Sequence, residues 1–166
     1  MYSKRAFSLW EVLCVLLILS FMMASTATTD MLSYYQKWSE RQQLYQANRH
    51  LLSAIELSRS LALQSKLSVT LCGGISCDGN WSNGLSILRN STPLPFKTWL
   101  FPDFIQLQWR GFPARKAAIT FLPTGMSNFQ NGSFYLCFRG EKRKRVVVNK
   151  AGRAYEDPSF VGGDQC

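Results

Sequence analysis

Lys4-Arg5-Ala6-Phe7-Ser8-Leu9-Trp10-Glu11-Val12-Leu13 is the stretch whose reading decides the fold of this chain. Lys4 and Arg5 form a basic flank ahead of an apolar run, Phe7 to Ala24, about the length needed to cross a bilayer. A positive flank stays on the cytoplasmic side, which sends the C-terminal part outward. An ordinary signal anchor has this outline, and so does a cleaved signal peptide with small residues near Ala24–Ala27. Glu11 argues against both. A carboxylate at that depth costs roughly 2.5–3.5 kcal/mol on insertion scales unless something neutralises it. A plain anchor has no reason to carry one.

Beyond the apolar run the helical pattern continues. No glycine occurs before Gly73 and no proline before Pro93. Leu44, Ala47, Leu51, Ile55, Ser58 and Ala62 recur at helical spacing and are expected to face a packed head. Arg41, Arg49, Glu56 and Arg59 fall mostly elsewhere, as a solvated face should. A helix from Phe7 to Gln64 would be roughly 85 Å long at 1.5 Å per residue. That is too long for a small globule, so half of it should protrude and the expected shape is a lollipop.

After Ser65 the pattern changes to short strands and turns. Lys66–Cys72 and Leu85–Arg89 read as strands around the loop Gly73–Gly84. Phe104–Arg110 alternates, with Ile105, Leu107 and Trp109 on one face. Ala117–Leu122, Ser133–Arg139 and Arg145–Lys150 complete the set. Pro123-Thr124-Gly125 and Gln130-Asn131-Gly132 read as turns, and Pro93, Pro95 and Pro102 mark a longer connection. The expected class is α+β: a long N-terminal helix on a small antiparallel β head.

The totals agree with one domain plus an anchor. The chain has 166 residues, 46% of them hydrophobic, with a mean hydropathy of −0.07, which allows a packed core and excludes a disordered chain. The net charge of +9 favours anionic partners such as nucleic acid, phospholipid headgroups or acidic polysaccharide. Of the five cysteines, Cys14 lies in the apolar run. Cys72, Cys77, Cys137 and Cys166 form an even set that fits disulfides in an oxidising compartment. Cys72 with Cys77 would close a short loop and Cys137 with Cys166 would tie down the tail, but spacing alone leaves the pairing open.

Charge is densest near the end. Arg139, Lys142, Arg143, Lys144, Arg145, Lys150 and Arg153 stand against a single acid, Glu141, within residues 139–153. Lys142–Arg145 is expected to form a hairpin turn entering the last strand, with Lys150 and Arg153 flanking the turn after it. Such a cluster suits a phosphate backbone, because each cation that replaces a condensed counterion adds salt-sensitive, sequence-independent affinity. Gly152 would let the backbone turn tightly before Arg153, whose guanidinium can fork two phosphate oxygens. The plain alternative is a solvated basic face, or one turned to headgroups or a neighbouring subunit. Trp81, Trp99, Trp109 and Phe112 are expected in core or rim packing. His50 reads as a helix-surface or packing residue. Asp103, Asp157 and Asp164 are dispersed, and no metal site, cofactor or catalytic constellation is expected.

Ala6-Phe7-Ser8-Leu9-Trp10-Glu11-Val12-Leu13 resembles the type IV prepilin cleavage motif. The resemblance implies removal of a leader, residues 1–6, by a prepilin peptidase cutting between Ala6 and Phe7, followed by N-methylation of Phe7. Glu11 would then neutralise the N-terminal amine of a neighbouring subunit during assembly. Ala6 stands where the family usually has glycine, and Trp10 is also unusual. Val69-Thr70-Leu71-Cys72, Gly79-Asn80-Trp81-Ser82-Asn83-Gly84, Ile119–Gly125, Phe134–Cys137 and Val146–Arg153 are similar to the GspH/FimT branch of minor pilins and pseudopilins. In the FimT-like members the tail carries a Gly-Arg-x-Arg motif implicated in binding DNA during natural transformation. Gly152 and Arg153 match it, whereas Tyr155 replaces the second arginine; tyrosine could stack on a base or pack against the head. The resemblance implies residues 7–29 as the transmembrane and filament-core half of the helix and residues 30–166 as a periplasmic head. The chain would be a single-pass inner-membrane protein assembled into a surface pilus, with other pilins and DNA as partners. A FimU-like priming subunit or a GspH-like secretion pseudopilin, neither touching DNA, is the alternative.

Overall fold

The computed structural model describes residues 8–26, 28–89, 95–114 and 117–166. The expected leader, Ala6, Phe7 and Pro93 lie outside the described residues. The chain divides into two compact units, Met1–Gln42 and Gln43–Cys166.

In the first unit, α1 spans Leu9–Thr26. Ser8 caps it: the Glu11 amide donates to the Ser8 carbonyl at 3.0 Å and to its hydroxyl at 3.3 Å. Ser8-x-x-Glu11 is the sequence form of a capping box, and an acid in the first turn suits the positive helix end. A cap is worth only about 1 kcal/mol, less than the roughly 2.5–3.5 kcal/mol that the carboxylate costs in lipid. The Glu11 carboxylate has no partner among the described residues. Among those residues no helix is long and apolar enough to cross a membrane. The apolar run begins at Phe7, outside them, and only backbone is described over residues 23–26. The large apolar side chains described on α1 are exposed in the isolated chain, as suits a helix with no polar face.

α2 spans Thr28–Ser65, and its later turns belong to the second unit. There Ala47, Leu51, Ile55, Ser58 and Ala62 are buried, as their spacing predicts, and Leu44 is half-buried. Arg49, His50 and Glu56 are exposed. The helix stops where Lys66 takes a left-handed φ of 57°, the usual backbone device at a helix C-terminus.

The rest of the second unit is two antiparallel sheets. β1 (Val69–Gly73), β2 (Leu85–Arg89), β3 (Lys97–Trp99) and β5 (Ala118–Phe121) form one, in the order β3-β2-β1-β5. β4 (Ile105–Phe112), β6 (Asn131–Phe138), β7 (Glu141–Val148) and β8 (Ala154–Glu156) form the other, in the order β4-β6-β7-β8. The α+β expectation holds. Inward residues of both sheets and of α2 make one core. At its centre the Phe134 ring lies 4.9 Å from Trp81 and 4.7 Å from Trp109. Trp81, Trp99 and Trp109 are therefore core residues, but Phe112 is 67% exposed. Cys72 bonds Cys77 and Cys137 bonds Cys166, while Cys14 is free.

Two expected turns are not turns. Gln130-Asn131-Gly132 leads into β6: Gln130 is buried and its Oε1 accepts the Thr120 amide at 2.7 Å, so a side chain closes the loop in place of a tight backbone turn. Lys142–Arg145 lies inside β7. The turn falls earlier, at Arg139-Gly140, where both residues have positive φ (52° and 83°). That is the requirement of a two-residue hairpin, and Gly140 meets it most easily. β3 and β8, three residues each, carry no alternation long enough to mark them in sequence.

Candidate nucleic-acid interface

The seven C-terminal cations do not form one free patch. Leu136 faces Lys144 while Cys137 faces Lys142, so Arg143 is the extra residue of a β-bulge. Residues paired across strands share a face. Lys144 therefore lies with Leu136 on the core side, and Arg145 with Tyr135 on the outer side.

Each of the four strand cations meets an acid. Arg143 pairs with Glu141 at 2.5 Å, Lys144 with Glu156 at 2.6 Å, Arg145 with Asp157 at 3.3 Å and Lys142 with Asp164 at 3.9 Å. Three of these acids come from the tail beyond residue 153, which returns beside β7. The Asp157 amide donates to the Arg145 carbonyl, the Gly163 amide to that of Lys142, and the Cys166 amide to that of Gly140. Hydrogen bonds from the Ser159 hydroxyl and amide, helped by Arg145, hold the Asp157 carboxyl below its ordinary pKa, so it keeps its charge into the acidic range. Lys142 is buried, its ammonium 5.5 Å from the centre of the Tyr135 ring. Exposed pairs add little stability, typically about 0–1 kcal/mol, but they cancel the field that a phosphate would feel.

The Lys144 pair also ties β8 to the helix. The second Glu156 oxygen accepts a hydrogen bond from Asn48 Nδ2 at 2.6 Å, and Lys144 Nζ lies 5.4 Å from the Tyr45 ring centre. Asn48 is buried, with its Oδ1 unpartnered among the described residues.

The turn after β7 is different. The Gly152 amide donates to the Asn149 carbonyl at 2.9 Å, and the Arg153 amide to Asn149 Oδ1 at 3.0 Å. Gly152 has φ +73°, and a Cβ there would strike the Gly125 carbonyl oxygen. Only glycine fits. The neighbouring loop braces the turn: the Ser127 amide donates to the Lys150 carbonyl at 3.2 Å. Gly152 is thus buried and positions the turn, whereas Lys150 and Arg153 are exposed and have no ion pair among the described residues. A groove of about 410 Å³ reaches from Lys150 and Asn149 past Val147 and Arg145 to Ser133 and Asn131. Arg139 is exposed on the opposite hairpin, its guanidinium 5.4 Å from the Phe138 ring centre.

Sequence reasoning missed Arg110. It is exposed on the outer face of β4, 5.6 Å from the Tyr135 ring centre and across from Ser133. The alternation Gln106, Gln108, Arg110 marks it as outward, but sequence does not tell that β4 lies beside β6. His50 is exposed on α2, and among the described residues no cluster of acids, histidines and cysteines could hold a metal.

The model of the family described as Type II transport protein GspH matches residues 47–152. The fold is similar to the type IV minor pilin FimU of Pseudomonas aeruginosa PAO1, at a TM-score of 0.63 and 20% identity, covering 78% of this chain and 98% of that one. A second crystal form of FimU gives 0.59 and 19%, covering 74% and 98%. The minor pseudopilin EpsH from the type 2 secretion system of Vibrio cholerae gives 0.55 and 10%, covering 72% and 99%. No curated protein matches in sequence.

Proposed function

Since the chain belongs to the GspH family, we propose that it is a minor pilin of a type IV pilus whose head binds DNA without sequence preference for uptake. Membership makes it a pilin-like structural subunit that partners other pilins, and not an enzyme. The rest is our reading. A prepilin peptidase removes residues 1–6 between Ala6 and Phe7, and Phe7 is methylated. The helix anchors the chain once in the inner membrane with its head in the periplasm, and Glu11 meets the amine of an adjoining subunit as the filament grows.

The observation that carries DNA contact is the braced turn that exposes Lys150 and Arg153 without carboxylate partners among the described residues. Two phosphate contacts predict a salt slope of about −1.8 for a duplex, hence about tenfold weaker binding between 50 and 200 mM salt. The test is a gel shift with the full chain in detergent over a salt series. Arg153→Ala and Lys150→Ala should each weaken binding and flatten the slope by about 0.9. Arg143→Ala should change little, because Glu141 already offsets it.

One observation favours a second reading, a priming minor pilin or secretion pseudopilin that touches no DNA. The four cations of β7 are neutralised by the chain's own acids. Unchanged DNA mobility at low salt would select that reading.

A further inference from the structure

We propose that the outer face of the β4-β6-β7-β8 sheet is a stacking platform for single-stranded DNA, with Phe112 on one edge and Tyr155 on the other. The inference rests on the reading of the head as a DNA-binding surface and adds which form of DNA it takes and where.

Register places the parts. Arg110 pairs with Ser133, Ser133 with Val147, and Val147 with Tyr155, so these four form one row across all the strands of the sheet. In the next row Phe112 pairs with Asn131. One step past the pair Val148 and Ala154, the Asn149 amide bonds the Arg153 carbonyl, which continues that row to the turn. Each edge therefore carries an arginine and an aromatic two residues apart: Arg110 with Phe112 on β4, and Arg153 with Tyr155 at β8. Between them lies the 410 Å³ groove, lined by the short side chains of Asn131, Ser133, Val147 and Asn149 and by Arg145 and Lys150.

Both aromatics are free to be covered. Phe112 is 67% exposed and Tyr155 51% exposed, while Trp81, Trp109 and Phe134 on the other side of the sheet are buried. Among the described residues neither exposed ring stacks on another ring or cation. Arg110 and Arg153 have no carboxylate partner among the described residues, so each edge offers a positive charge beside a flat apolar ring. Three strand spacings separate the edges, about 14 Å, which is narrower than a duplex. A single strand lying across the face can set bases on the two rings and phosphates on the arginines. Stacking of this kind is indifferent to base identity because every base has a π face. A duplex, whose bases are already stacked, meets only the cations.

The experiment measures fluorescence anisotropy of the full chain in detergent, with labelled oligo-dT of about 20 nucleotides and with a duplex of the same length. Phe112→Ala and Tyr155→Ala should each weaken oligo-dT binding about 5- to 150-fold and leave duplex affinity unchanged. Tyr155→Phe, which keeps the ring, should bind like the parent. The substitutions lie on opposite edges, so one remains informative if the other fails to fold. If both alanine variants bind oligo-dT like the parent while Arg153→Ala weakens both DNA forms, the platform is wrong and the DNA-binding reading stands. If neither DNA form binds at low salt, both fall together.

Discussion

At the scale of single residues, glycine is the clearest case of position deciding role. Gly140 and Gly152 both follow β7 cations or precede them in turns, and both have positive φ. A Cβ on Gly140 would meet nothing within 4 Å, whereas one on Gly152 would strike the Gly125 carbonyl, which already accepts Arg59 Nε at 3.1 Å. Gly140→Ala should therefore cost only the left-handed strain, about 1–2 kcal/mol, and Gly152→Ala more, about 2–4 kcal/mol once the clash is added. Urea denaturation of the two variants checks the order; equal losses would mean that the contact with Gly125 relaxes freely. Gly152 reads in sequence as an aid to Arg153, and that much was legible. The packing of its backbone against another loop was not, because Gly125 is distant in sequence.

At the scale of elements, the C-terminal segment from β8 onward does two jobs. It supplies Glu156, Asp157 and Asp164 to the cations of β7, and it is tied back by the bond between Cys137 and Cys166. That bond spans 29 residues and the one between Cys72 and Cys77 spans 5. Chain-entropy arguments make the first worth about 3.5 kcal/mol and the second about 2 kcal/mol. Cys137→Ser with Cys166→Ser should thus lower the urea midpoint more than Cys72→Ser with Cys77→Ser. The reverse order would show that the tail holds by its hydrogen bonds alone. Leu85–Arg89 was legible because it follows a loop rich in glycine, asparagine and serine, and Phe104–Arg110 because Ile105, Leu107 and Trp109 alternate with polar residues. The place of Lys142–Arg145 was not: a run of four cations has no alternation, and the hairpin position depends on the left-handed pair Arg139-Gly140.

At the scale of the whole molecule, α1 is apolar and exposed along its described length, and Glu11 interrupts it without a partner among the described residues. A helix like this finds its environment in lipid or in other helices. If Glu11 pairs with the amine of an adjoining subunit, Glu11→Leu should leave membrane insertion intact and remove the chain from sheared filaments. Immunoblots of the membrane and filament fractions check this, and equal recovery in filaments would refute the pairing.

The sequence by itself determined the class of this protein. An acid within an apolar run, a long proline-free helix and a series of short strands between turns are local patterns, written in the spacing of residues along the chain. Tertiary structure alone decided which cations are free. Neutralisation of Lys142, Lys144 and Arg145 needs acids brought back by the tail, and the row from Arg110 to Tyr155 needs four strands in register. Charge cancels through space, not along the chain, so the field that a ligand meets could be read only once the strands were paired.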